Sequence, residues 1–135
     1  MDAFYQRLDL FEKLKRMKIL LIDDDDLIRD SLTVFFKGEG IHLTAVETAE
    51  RGLEEIKKNN YDIIIVDYRL PGMDGVEFFK HIAKTHRNVF KIIITAYKDQ
   101  RIVSEAGKIG IQGFIEKPFS SRTIEHALLW LVEQH

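Results

Sequence analysis

Three short apolar runs, each closing on a residue equipped for chemistry, constrain this chain more than any other feature. Lys18-Ile19-Leu20-Leu21-Ile22 leads into Asp23-Asp24-Asp25-Asp26, Tyr61-Asp62-Ile63-Ile64-Ile65-Val66 into Asp67, and Val89-Phe90-Lys91-Ile92-Ile93-Ile94 into Thr95. The runs are rich in β-branched residues and nearly continuous instead of alternating, the pattern of strands covered on both faces. A weaker run from Ile41 to Val46 and a short one from Gly113 to Ile115 complete a set of five.

Between these runs the apolar spacing turns helical. Residues 26–37 carry Ile28, Leu32 and Phe35/Phe36, and Thr48 is a suitable N-cap for a helix holding Leu53 and Ile56. Residues 75–84 carry Val76, Phe79 and Ile82; 99–108 are less clearly patterned around Ile102, Val103 and Ala106. A last helix, starting at Ser120 or Ser121, lines up Ile124, Ala127, Leu128 and Leu131. Strand and helix therefore alternate five times, which predicts an α/β fold with a parallel sheet and helices on both faces. In open sheets of this kind ligands bind beyond the carboxyl ends of the strands. Asp23, Asp24, Asp67 and Thr95 should then converge at one edge, joined by Lys117 just after the fifth run.

The 135 residues suit one compact domain, and 45% hydrophobic with 31% charged residues is ordinary for a globular protein. A formal net charge of -2 gives no reason to expect direct nucleic-acid binding. The absence of cysteine excludes disulfides, thiolate metal sites and cysteine nucleophiles. No apolar run reaches the length of a membrane span and no signal-peptide pattern opens the chain, so a soluble cytoplasmic protein without membrane contact is expected. Residues 1–17 stand apart as an amphipathic extension with Phe4, Leu8, Phe11 and Leu14 on one stripe. Packing on its own domain, service as a dimerisation or partner helix, and a disordered tail are three readings left open for it.

Three carboxylates and a lysine at one sheet edge define a narrow chemistry. Two like charges 4 Å apart repel by about 4 kcal/mol at an effective dielectric near 20, so Asp23, Asp24 and Asp67 call for a cation. Mg²⁺ suits them, since it prefers oxygen ligands and is bound through few carboxylates plus phosphate oxygens. Lys117 balances part of the remaining charge and offers a grip for a phosphate oxygen, while Thr95 offers a hydroxyl for another. A carboxylate nucleophile, a metal and positioned donors are the parts that phosphoryl transfer onto a protein needs.

Four segments in order and register resemble the response-regulator receiver domain of two-component signalling: ILLIDDDD at 19–26, YDIIIVDYRLPGMDG at 61–75, IIITAY at 92–97 and FIEKPF at 114–119. The resemblance covers about residues 18–135, the receiver domain, with 1–17 as its N-terminal extension. It implies a flavodoxin-like five-stranded sheet of order 2-1-3-4-5, and Asp67 as the acceptor of a phosphoryl group from a phosphohistidine on a sensor histidine kinase or histidine phosphotransfer protein. It further implies Mg²⁺ (or Mn²⁺) held by Asp24 directly, by Asp23 largely through water, by Asp67 and by the backbone carbonyl of Arg69. Thr95 and Lys117 would grip the phosphoryl group, Phe114 would swing inward in response, and the Lys117–Pro118 bond would be cis. Output would pass through the fourth helix, fifth strand and fifth helix of the receiver, about residues 97–131, which with the N-terminal helix also offers a homodimer surface. Arg69 and Tyr97 occupy the two positions that, by the resemblance, tune phosphate lifetime; both are bulky and neither is a carboxylate or amide that could orient water, so slow self-dephosphorylation is expected.

Other acidic and basic residues receive plainer readings. Asp25 and Asp26 fit a solvated helix N-terminus, Asp74 a turn and N-cap, and His42, His81, His86, His126 and His135 the surface. A phosphatase of the haloacid-dehalogenase type is the rival from another class, with Asp23-x-Asp25 imitating its motif. Leu27 departs from that motif, Asp67 would go unexplained, and little chain is left for a cap. A receiver-like module that binds partners without phosphorylation is a second rival, against which the complete acidic set, Thr95 and Lys117 count. No P-loop or Gly-x-Gly-x-x-Gly run supports nucleotide binding.

Overall fold

In the computed structural model, which describes residues 3–134, the five runs become five parallel strands. They are β1 (Lys18–Ile22), β2 (His42–Val46), β3 (Ile63–Asp67), β6 (Phe90–Thr95) and β7 (Gly113–Glu116). Their order across the sheet is β2-β1-β3-β6-β7, with parallel pairing throughout. This is the flavodoxin-like arrangement expected from the sequence, with the order reversing between β1 and β3. Between the strands lie α2 (Asp26–Gly38), α3 (Ala49–Lys58), α4 (Gly75–Ile82) and α5 (Gln100–Lys108), and the chain closes with α6 (Ser121–Gln134).

Continuous apolar runs conceal an alternation that the sheet makes visible. Ile19, Leu21, Ile63, Ile65, Ile92 and Ile94 face α2 and α6 and pack with Leu32, Phe36, Ile124 and Leu128. Leu20, Ile22, Ile64, Val66 and Ile93 point the other way, onto Ile56 of α3, Phe78 and Phe79 of α4 and Ala106 of α5. Successive side chains of a strand take opposite faces, so a strand buried on both must be apolar throughout. All five residues of β3, Asp67 included, are buried, which places the candidate acceptor at the end of the central strand.

Local chemistry sets the element boundaries. Asp25, Thr48, Asp74 and Asp99 each accept a backbone N–H of the following turn, capping α2, α3, α4 and α5. The expected strand at 61–66 begins two residues later and ends on Asp67, because Asp62 instead accepts the Lys18 N–H at 2.8 Å and ties the two strands' entrances together. A two-residue hairpin absent from the sequence reading, β4 (Arg69–Leu70) with β5 (Met73–Asp74), turns through Pro71-Gly72, where Gly72 has φ +79°. Proline followed by a positive-φ glycine is the chemistry of a type II turn.

Residues Ala3–Lys15 form α1, which packs against α6. Leu14 is fully buried among Phe36, Ile41, Leu131 and Val132, with Leu10 and Phe11 partly covered. The stripe read from the sequence is thus divided: Leu14 and Phe11 face the body, while Phe4 and Leu8 remain exposed. The expected surface histidines His42, His81 and His126 are exposed and His86 is half-buried; His135 lies outside the described residues.

Candidate functional site: an acidic pocket at the sheet edge

Three strand ends build the pocket. The carboxylates of Asp23, after β1, of Asp24, and of Asp67, at the end of β3, bring oxygen atoms within 4.8 Å of one another. Asp23 is fully buried, Asp67 nearly so, and Asp24 is exposed at the rim. Lys117 enters from the end of β7: its Nζ donates to Asp67 Oδ2 at 3.1 Å and lies 3.9 Å from Asp23 Oδ2. Its backbone N–H donates to the Thr95 carbonyl at 2.8 Å, fixing it to the neighbouring strand, and the Lys117–Pro118 peptide is cis.

The remaining side chains named from the sequence are near the pocket but not all joined to it. Thr95 is buried at the end of β6, one register step beyond the residue paired with Asp67. Its hydroxyl donates to the Tyr97 carbonyl at 3.1 Å and accepts the Tyr97 N–H at 3.2 Å, so it serves its own loop instead of Asp67. The Arg69 N–H donates to Asp67 Oδ1 at 3.3 Å, and its side chain is exposed, as is that of Tyr97. Phe114 is half-buried on β7 with the Lys98 ammonium 5.8 Å from its ring centroid. Asp25 accepts the N–H groups of Leu27 and Ile28, so its carboxylate caps α2 and does not pair with Asp23 as the phosphatase motif requires.

The backbone holds the pocket closely. Asp23 N–H donates to the Val46 carbonyl at 3.1 Å, and Asp23 Oδ1 accepts the Asp25 N–H at 2.9 Å. Gly75 opens α4 directly against the end of β3, where a Cβ would lie 2.9 Å from the Asp67 carbonyl oxygen. Neither Gly75 nor Arg29, whose guanidinium reaches the Asp23 carbonyl at 2.8 Å, was singled out from the sequence. For Gly75 the only sequence signal is a glycine at a helix start.

The electrostatics follow from burial. Asp23 is pushed up from 3.8 to about 6, chiefly by loss of water and further by the charges of Asp67 and Asp24; the Asp25 N–H and Lys117 oppose the rise. Burial alone would lower the Lys117 amine, yet its hydrogen bond to Asp67 and the charges of Asp23 and Asp67 outweigh it and raise the amine above its usual value. One oxygen is left over: Asp23 Oδ2 is buried with no hydrogen-bond partner. A hard divalent cation fits this donor set, since three carboxylate oxygens within 4.8 Å and one buried unpaired acceptor match its all-oxygen preference.

The comparisons agree with this geometry. The family model described as the response regulator receiver domain matches residues 19–129. The sporulation initiation phosphotransferase F of Bacillus subtilis is 32% identical over 111 residues, 82% of this chain and 90% of that protein. A cyclic di-GMP phosphodiesterase of Thermotoga maritima is also 32% identical, over 116 residues, but those are 83% of this chain and only 31% of the phosphodiesterase. Among solved structures, a receiver domain protein from Methanospirillum hungatei superposes with a TM-score of 0.82 at 26% identity, covering 87% of this chain and 94% of that one. Consistent with its strand order, acidic pocket and lysine, the chain belongs to the response regulator receiver domain family of two-component signalling.

Proposed function

We propose that Asp67 accepts a phosphoryl group from the phosphohistidine of a sensor histidine kinase or histidine phosphotransfer protein, with Mg²⁺ or Mn²⁺ in the acidic pocket. The observation that carries this reading is one juxtaposition. Lys117 Nζ stands 3.1 Å from Asp67 Oδ2 and 3.9 Å from the buried Asp23 Oδ2, which makes no hydrogen bond. Asp23, Asp24, Asp67 and the Arg69 carbonyl would hold the cation, which when bound neutralises the carboxylates and the incoming phosphoryl oxygens. A carboxylate oxygen of Asp67 attacks phosphorus, the N–P bond of the phosphohistidine breaks, and its electron pair leaves with the imidazole. Lys117, already on Asp67, stays with the product as a donor to a phosphoryl oxygen.

Thr95 supplies the second grip. To reach the phosphoryl group its hydroxyl must leave the Tyr97 carbonyl and amide, which loosens the loop before α5. Phe114, one strand over and capped by Lys98, then has space toward the sheet edge. The rearranged surface is α5, β7 and α6, read by a separate partner, an output domain of a longer chain, or a second copy through this face or through α1. Phosphorylation biases a pre-existing equilibrium by binding one arrangement better. The name of the Bacillus phosphotransferase supports a place for this chain in phosphoryl relay.

The test is adduct formation with acetyl phosphate or beryllofluoride plus Mg²⁺, followed by mass spectrometry. Wild type should form the adduct, Asp67→Asn should lose it, and Asp23→Asn should form it weakly. Adduct formation that survives Asp67→Asn would overturn the assignment. Among the described residues no helix is long and apolar enough to cross a membrane.

A further inference from the structure

Arg29 sits where a cation is least expected, in the first turn of α2, at the positive end of the helix dipole. Its side chain is only 17% exposed, while its acidic partners Asp26 and Glu47 are 84% and 63% exposed. One guanidinium nitrogen donates to the Asp23 carbonyl at 2.8 Å. The other pairs with the Asp26 carboxylate and lies 3.9 Å from Glu47 Oε2. Glu47 follows Val46, whose carbonyl receives the Asp23 N–H at 3.1 Å. The Asp23 backbone is therefore held through its N–H by β2 and through its carbonyl by Arg29, and Arg29 ties the loop after β1 to the loop after β2.

We propose that Arg29 is a positioning residue for the cation site: by gripping the Asp23 carbonyl it holds the 23–24 backbone so that both carboxylates converge on Asp67. The inference rests on the reading of the acidic pocket as a divalent-cation site. Its physical basis is that partners behind metal ligands fix their orientation, and loss of one weakens metal binding by roughly 10- to 100-fold. A pure charge effect has the opposite sign. A fixed cation beside the pocket repels Mg²⁺, so deleting it without any positional role would tighten binding. Lysine keeps the charge but not the two-pronged donor, and so separates the two accounts.

The measurement is Mg²⁺ affinity of the full chain by calorimetry, checked with Mn²⁺ by electron paramagnetic resonance, for wild type, Arg29→Met, Arg29→Lys and Glu47→Gln. Thermal unfolding in EDTA verifies folding. Arg29→Met should weaken Mg²⁺ by about tenfold, Arg29→Lys should recover only part of that, and Glu47→Gln should lose less. Unchanged or tighter Mg²⁺ binding in a folded Arg29→Met overturns the inference. If that variant does not fold, wild-type affinity in both Arg29→Lys and Glu47→Gln overturns it equally. A wild-type chain that binds no Mg²⁺ sinks the cation-site reading together with this one, whereas normal wild-type binding with indifferent variants sinks only the role of Arg29.

Discussion

The Asp23 carboxylate is buried with one oxygen that makes no hydrogen bond, and burial together with the nearby carboxylates raises its pKa. Raised from 3.8 to about 6, it binds more protons in the folded chain than in the unfolded one between those values. Stability from this group is fully present below pH 3.8 and is lost as pH rises through 6. Metal-free protein should therefore lose up to about 3 kcal/mol between pH 4 and 7 from this source, a ceiling set by the size of the shift. Urea titrations in EDTA at several pH values check it: Asp23→Asn should flatten the dependence, and added Mg²⁺ should remove it. At the same scale, the side chains of Arg69 and Tyr97 are exposed and bulky, and neither is a carboxylate or an amide. Arg69→Asn with Tyr97→Glu should speed loss of phosphate from Asp67 roughly tenfold or more, followed by phosphate-release kinetics; no acceleration would refute the role of those positions.

At the scale of elements, the site depends on how closely α4 meets β3. A methyl group at position 75 would stand 2.9 Å from the Asp67 carbonyl oxygen and 3.3 Å from Tyr68 Cα, both backbone atoms with little freedom to move. Gly75→Ala should destabilise the protein by about 1–3 kcal/mol, the usual cost of overpacking, and should weaken beryllofluoride capture by displacing Asp67. Chemical denaturation and adduct mass spectrometry read the two effects separately. The strands themselves were legible in the sequence because burial on both faces forces a continuous apolar run, and the helix starts because Thr48, Asp74 and their like cap locally. The hairpin at 69–74 was missed because strands of two residues have no periodicity to detect.

For the whole molecule, the role of residues 1–17, which the sequence leaves open, becomes a question of packing. Leu14 is fully buried where α1, α2 and α6 meet, and Leu8 on the same helix is 47% exposed. Leu14→Ala should cost about 2–5 kcal/mol, whereas Leu8→Ala should stay within about 0.5 kcal/mol; denaturant midpoints distinguish them. Equal effects would mean that α1 is not docked as described. Phe4 and Leu8 of the same stripe stay exposed, so the extension packs on the domain through its inner residues while its outer ones remain at the surface.

The order of strands and helices along the chain, the edge at which Asp23, Asp24, Asp67, Thr95 and Lys117 gather, and the caps of Thr48 and Asp74 could all be read from the sequence. Each depends on periodicity or on neighbours a few residues away, and the rule that sites lie beyond strand ends does the rest. Three features required the folded chain. Asp23 Oδ2 is orphaned, the Thr95 hydroxyl is engaged by Tyr97, and Arg29 spans two loops. These are settled by distances between segments that are remote in sequence, by which oxygen is left without a partner after packing, and by the side-chain rotamers that packing permits. A linear pattern names the residues of a site; only their three-dimensional company decides which of their bonds are already made.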